Sequence, residues 1–269
     1  RRSWWSRVWA HSQMRTLCIV TMTLSMAFAL QLPVPGTGRS SIAVSQRGMV
    51  GMALADGVLN VGVIGAGRIG LVHLEALSSC ETANPVIVSN PTIEKAQAAA
   101  EKYKLPKYTG DAMEVITDPE VEAVWICSPS QYHAEQIKAC AAAGKHVFCE
   151  KPIATDILET IEAINACNEA GVKLMTALQR RFDPNFARIK TALESGEVGE
   201  PILIKLCSRD PEPPPFEYVK GGGGIFCDMA IHDLDMARFL MDSEPVEILA
   251  SGSCNVDKSI EVLPGPEAF

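Results

Sequence analysis

From position 59 to 178 the chain alternates short, continuous apolar runs with longer stretches whose apolar residues recur every three or four positions. A continuous apolar run is the pattern of a strand buried on both faces. The wider spacing is that of a helix with one side against a core. The pattern predicts strands at 59–64, 85–90, 121–127, 146–150 and 172–178, and helices over 68–79, 92–103, 111–117, 132–143 and 156–170. Gly144 and Gly171 stand where two of these helices should stop, since glycine takes the left-handed conformation of a C-terminal cap. Such alternation means an α/β fold, a doubly wound parallel sheet covered on both faces, whose ligand lies beyond the carboxyl ends of the strands.

Candidate chemistry is therefore sought just after strands. The first strand runs into Gly65-Ala66-Gly67-Arg68-Ile69-Gly70, with His73, Leu74, Ala76 and Leu77 following at helical spacing. In a dinucleotide site Gly65 permits the tight turn, Gly67 lets the backbone approach a pyrophosphate, and Gly70 lets helix pack on strand. The phosphates then sit on the unpaired N–H groups and positive end of the new helix. Arg68 and Ile69, inside the turn, belong to the same cofactor set. A GxGxxG by itself is an ordinary glycine-rich turn; one that follows a strand and opens a helix has the context the site requires.

The second strand ends at Ser89-Asn90-Pro91, where an NAD enzyme usually carries Asp or Glu for the ribose 2′-hydroxyl. Asn90 can bond a hydroxyl without repelling a 2′-phosphate, and no arginine adjoins it. NAD and NADP both stay open, with NAD preferred. In Cys127-Ser128-Pro129, Ser128 and Pro129 would floor the nicotinamide ribose site, and His133 follows either as a cofactor contact or as a structural cap. Glu150-Lys151-Pro152 ends the strand at 146–150. A charged pair there is costly unless paired or used. Lys151 would project into the crevice where a hydroxyl substrate meets the nicotinamide, and Glu150 is placed with the cofactor residues; a surface lysine in a loop is the alternative.

Beyond Leu178 the pattern changes. Gln179-Arg180-Arg181-Phe182-Asp183-Pro184 leads into a helix ending near Ser195, and 201–209 reads as a strand. A proline-rich loop and four glycines then precede a helix over 225–241. Asp228 and His232 stand four apart on it and share a face; a surface Asp–His pair is what the spacing alone favours, and in a site the carboxylate would orient the imidazole and raise its proton affinity. Asp235 is expected at the surface, pairing with Arg238. The stretch 246–256 begins another strand.

Composition adds two things. The net charge of −8 over 269 residues argues against nucleic acid or an anionic membrane as partner. The nine cysteines show no CxxC or Cys/His ligand spacing, so they read as reduced core residues with no metal site. Residues 1–55 contain no acid, and an apolar run at 17–30 ends in Ala27-Phe28-Ala29. This is a signal-like segment followed by a transit-like one, and it resembles the two-part plastid leaders of algae with complex plastids. Secretion and a cytoplasmic location are the alternatives, and no membrane span is expected in the mature form. The expected division is a leader over 1–58, a dinucleotide-binding domain over 59–178, and a partial substrate and oligomerisation domain over 179–269.

Taken together, GAGRIG, EKP, QRRFDP, SRDPEPPP and GGGGIFCDMAIHDLDMARFL resemble the glucose–fructose oxidoreductase and inositol 2-dehydrogenase family, nearest to its inositol 2-dehydrogenase branch. The resemblance implies a Rossmann domain followed by an α/β domain with a mostly antiparallel sheet, in a homo-oligomer. It implies oxidation of a ring hydroxyl of myo-inositol by NAD or NADP. His232 would take the hydroxyl proton, Asp228 would orient His232, and Lys151 would hold the hydroxyl oxygen. The family continues past Phe269, so this chain is expected to be an incomplete product. The competing expectations are a dehydrogenase for another sugar or cyclitol, and a non-catalytic dinucleotide-binding protein.

Overall fold

A computed structural model describes residues 57–212, 219 and 224–253. The expected leader falls outside them except for its last two residues, as do 221–223, most of the proline-rich loop, and 254–256 of the last expected strand.

Six strands, β1 (Leu59–Ile64), β2 (Ala83–Ser89), β3 (Lys107–Thr109), β4 (Ala123–Ile126), β5 (His146–Cys149) and β6 (Leu174–Thr176), form one parallel sheet in the order β3-β2-β1-β4-β5-β6. Strand order reverses between β1 and β4, which opens a crevice at their carboxyl ends. Register makes that edge level. Ile64 lies opposite Ser89 on one side and Ile126 on the other, and Ile126 opposite Cys149. The turns after β1, β2, β4 and β5 therefore open onto the same rim.

Helices α1 (Arg68–Ser78), α2 (Ile93–Tyr103), α3 (Ala112–Thr117), α4 (His133–Ala142) and α5 (Ile157–Ala170) cover the sheet. Asp111 and Asp156 cap α3 and α5 by accepting backbone N–H bonds, and Gly171 ends α5 at φ 68°. The alternation along β1 divides the core. Val61 and Val63 pack with Leu74, Leu77 and Phe148 on one face, while Ile64 packs with Val115, Ile116 and Ile137 on the other. Phe148, fully buried, stacks on Trp125 with ring centres 5.0 Å apart. The strand β3 went unforeseen because three residues are too few to show a period.

The remainder comprises a 3-10 turn at Gln179–Phe182, helix α6 (Pro184–Glu194), a π-helical turn at Phe226–Ala230 and helix α7 (Ile231–Met241). The strand expected at 201–209 is absent: 201–210 has no regular structure, and Ile202 and Leu203 are 94% and 86% exposed. The same holds for 246–253, where Leu249 is 96% exposed. An alternating segment becomes a strand only when a neighbour takes its N–H and C=O groups, and neither segment has one among the described residues.

Two glycines of the first turn predict opposite outcomes. A Cβ on Gly70 would lie 1.9 Å from the carbonyl oxygen of Gly65, whereas one on Gly67 would meet nothing within 4 Å. Gly70→Ala should cost about 2 kcal/mol or more and lower Tm by several degrees, while Gly67→Ala leaves Tm unchanged, both read by circular dichroism.

Candidate active site

Gly65 takes φ +105°, and its N–H donates to Ser89 O at 2.8 Å, tying the first turn to the end of β2. The next N–H, of Ala66, donates to Asn90 Oδ1 at 3.1 Å, and Asn90 Nδ2 donates to Thr92 O. Asn90, the residue expected to meet a ribose hydroxyl, thus braces the glycine turn with its amide oxygen. One N–H and one lone pair of its amide remain for that purpose. Gly67 caps α1 and is exposed with open space above it, and Arg68 beside it is exposed. An open backbone at a helix N-terminus, edged by the ends of β1 and β2, fits a dinucleotide pyrophosphate.

After β4, Ser128 Oγ and Gln136 Oε1 are bonded at 2.6 Å, and Pro129 is exposed on the rim. His133 is 1% exposed, with Nδ1 2.7 Å from Pro152 O and Nε2 2.8 Å from Ser128 O. Both ring nitrogens face backbone carbonyls, which only accept, so a neutral ring donates to one of them; buried between the two turns, His133 presents no nitrogen to a cofactor.

After β5, Glu150 Oε1 lies 2.7 Å from His73 Nε2, and Oε2 accepts from the N–H of Lys151. Burial pushes the Glu150 carboxyl up, but the His73 contact and the nearby Lys151 N–H and ammonium outweigh it and hold it below its usual range. Lys151 Nζ donates to Asp228 Oδ1 and to Asp228 O, both at 2.7 Å. Residues 77 positions apart in the chain thus meet at the rim.

The arrangement corrects two expectations for the later helix. The turn carrying Asp228 is π-helical, with i→i+5 bonding, so four residues no longer close one turn. The Asp228 carboxylate bonds Lys151, and His232 Nδ1 is buried with no hydrogen-bond partner among the described residues. Proton affinity at His232 also moves opposite to expectation. Burial lowers it first, then the charges of Lys151 and Arg180, and these prevail over Glu150 and Asp228. The imidazole is therefore neutral at neutral pH, the state a proton acceptor requires.

Asp235 departs from expectation as well. It is 6% exposed, and Arg181 grips both its oxygens, Nε donating to each at 2.9–3.0 Å. Arg238 pairs with Glu244 instead. Arg180 donates to Asp233 Oδ1 at 2.5 Å and to Ser208 Oγ at 3.1 Å. These partners were missed. The adjacent arginines of the QRRFDP segment and the alternate aspartates of IHDLD were the signal, but nothing local says that they face one another.

With this geometry in view, residues 59–178 match the model of the oxidoreductase family, NAD-binding Rossmann fold, and residues 186–263 match the GFO/IDH/MocA C-terminal domain. The chain belongs to the GFO/IDH/MocA family of oxidoreductases. Among relatives, uncharacterized oxidoreductase YrbE of Bacillus subtilis is 44% identical over 202 residues, 75% of this chain and 59% of that protein. Myo-inositol 2-dehydrogenase of Thermotoga maritima is 43% identical, covering 75% of this chain and 60% of that protein. A crystal structure of scyllo-inositol dehydrogenase from Lactobacillus casei with bound NAD(H) and scyllo-inositol aligns with TM-score 0.64 at 29% identity, covering 69% of this chain and 56% of that one. The chain thus spans about three-fifths of the length of the curated relatives it matches. In this GFO/IDH/MocA protein the matched Rossmann segment supplies the glycine turn and Lys151, and the C-terminal segment supplies Asp228 and His232.

His232 has a consequence for stability. Its folded pKa lies below the ordinary value of about 6.5, so between the two values the unfolded chain binds more protons. The stability it contributes is complete above the unfolded value and is lost as pH falls through the folded one. His146, lowered by burial and by Lys173, acts in the same direction, whereas Glu150 acts only in the more acidic carboxylate range. His232→Asn should flatten the acid-side fall in unfolding free energy below about pH 6.5, measured by urea titrations at stepped pH, without removing the part due to His146.

Proposed function

We propose that the protein is an NAD-dependent dehydrogenase that oxidises a ring hydroxyl of myo-inositol or a related cyclitol to the ketone. One observation carries this: the ammonium of Lys151, at the carboxyl end of β5, is anchored by both the side chain and the carbonyl of Asp228, and His232 follows on α7. The names of the inositol dehydrogenase relatives support the substrate class. The family's NAD-binding description, and an Asn90 flanked by no arginine, support NAD over NADP.

Gly65, Gly67, Arg68, Ile69 and Gly70 would hold the pyrophosphate, braced by Asn90, and Ser128, Pro129 and Glu150 would edge the nicotinamide ribose. The bound nicotinamide supplies a hydride acceptor at its ring. Lys151 has two of its three protons committed to Asp228. The third is left to donate to the substrate hydroxyl oxygen and to stabilise negative charge as it develops there. His232, kept neutral by burial and by two neighbouring cations, accepts the hydroxyl proton. Asp228 acts on Lys151 and so fixes where the alcohol carbon stands. A pocket built this way selects a substrate by hydroxyl hydrogen bonds, which suits a polyol.

Incubation of the chain with NAD and myo-inositol should form NADH. Lys151→Ala and His232→Ala should each lower the rate by about 10²-fold or more while NADH affinity, read by fluorescence, holds. Cofactor binding without turnover of any cyclitol would overturn the dehydrogenase proposal, and loss of NADH binding in Lys151→Ala would overturn the role given to the lysine.

We further propose that residues 1–58 address the protein to a plastid, on the strength of an acid-free stretch with an apolar run at 17–30. Fused ahead of a fluorescent protein in an alga with complex plastids, they should carry it there; cytosolic fluorescence would overturn this.

A further inference from the structure

His73 has no part in the mechanism above, yet it is placed where it bears on it. It lies on α1, the helix whose N-terminus would receive the dinucleotide phosphates, and its ring sits edge-on to Phe148 with centroids 5.2 Å apart. Its Nε2 is 2.7 Å from Glu150 Oε1, with the two side chains only 14% and 15% exposed. An ionised carboxylate only accepts, so Nε2 carries the proton and donates. Glu150 is held on three sides: by His73 at Oε1, by the Lys151 N–H at Oε2, and by its own N–H donating to Ile126 O at 2.9 Å. On the far side of the same turn, the Pro152 carbonyl is engaged by His133. The three residues 150–152 thus have an imidazole at each end, His73 bonded to Glu150 and His133 with Nδ1 2.7 Å from Pro152 O, and Lys151 stands between them.

We propose that His73 is a positioning residue for Lys151, acting through Glu150, so that the helix that binds the cofactor also sets the direction of the lysine ammonium. This rests on the dehydrogenase reading for its effect on turnover, but not for its effect on the lysine. Without the His73 donor, the backbone of Glu150 stays on Ile126 O, but its carboxylate keeps only the backbone N–H of its neighbour, a contact that follows the Lys151 turn wherever it moves. The ammonium then samples directions other than that of Asp228.

The test uses the full chain carrying His73→Phe, which keeps a ring against Phe148 and removes the N–H, and His73→Gln, which returns a donor near the position of Nε2. Three quantities are read: NADH affinity, kcat and KM for myo-inositol, and the rate at which an acetylating ester labels Lys151, followed by peptide mass spectrometry. In His73→Phe, kcat should fall about 10- to 100-fold and Lys151 labelling should rise severalfold, with NADH affinity unchanged. His73→Gln should recover part of both. Should no form turn over a polyol, faster labelling in His73→Phe that His73→Gln reverses would still uphold the positioning role while the dehydrogenase proposal fell. Unchanged labelling in His73→Phe, or a loss of NADH affinity that accounts for the loss of rate, would overturn it.

Discussion

The geometry of the site depends on one ion pair. Lys151 ends a buried strand of the Rossmann sheet, where an ammonium without a partner would cost several kcal/mol in lost hydration. The Asp228 carboxylate, from a segment far along the chain, offsets that cost, and with the side chains 16% and 29% exposed neither charge is freely solvated. A short bond between two partly desolvated charges tolerates little displacement, so the pair fixes the distance between the β5 rim and the later helix. Two arginine contacts act in the same sense. Arg181 holds the buried Asp235 and Arg180 holds Asp233, both just beyond His232 on α7. The imidazole is placed by contacts on either side of it in sequence.

That placement carries an energetic cost that the chemistry explains. His232 Nδ1 is buried with no hydrogen-bond partner among the described residues, a condition typically worth about 1–3 kcal/mol of lost stability. No described residue fixes the tautomer of the ring. Two cations and burial keep it uncharged, and a neutral imidazole beside an ammonium is a complementary pair for an alcohol: one group takes the proton and the other steadies the oxygen left behind.

The sheet contributes by register. Because β1, β2, β4 and β5 end level, the glycine turn, Asn90, Ser128 and Lys151 stand along one rim. Hydrogen bonds then run from turn to turn, Gly65 to Ser89, Ala66 to Asn90 and His73 to Glu150, and the buried His133 ring sits between the carbonyls of Ser128 and Pro152. The rim is a connected strip in which each loop is held by its neighbours. Stiffness of that kind is what holding a reacting carbon beside a nicotinamide requires.

Much of this was legible in the chain itself. Continuous apolar runs and helical spacing located five of the six strands and the covering helices. The GxGxxG turn, the Glu-Lys-Pro end of a strand and the Asp–His spacing named the residues that now carry the proposal. Such features are local, written in backbone preference and in the periods of adjacent side chains. What sequence could not decide was which distant groups meet. Asp228 pairs with Lys151 from a π-helical turn, where an i, i+4 count, which assumes an α-helix, does not apply. Asp235 is buried against Arg181 and Asn90 braces a turn, both through contacts that no local pattern encodes. The segment at 201–209 has a strand's alternation and no strand, because pairing requires a neighbour that the pattern alone cannot supply. Sequence determined the elements and the chemical types; only the folded chain decided which charges are desolvated together, and that sets the proton affinity of His232 and the direction of Lys151.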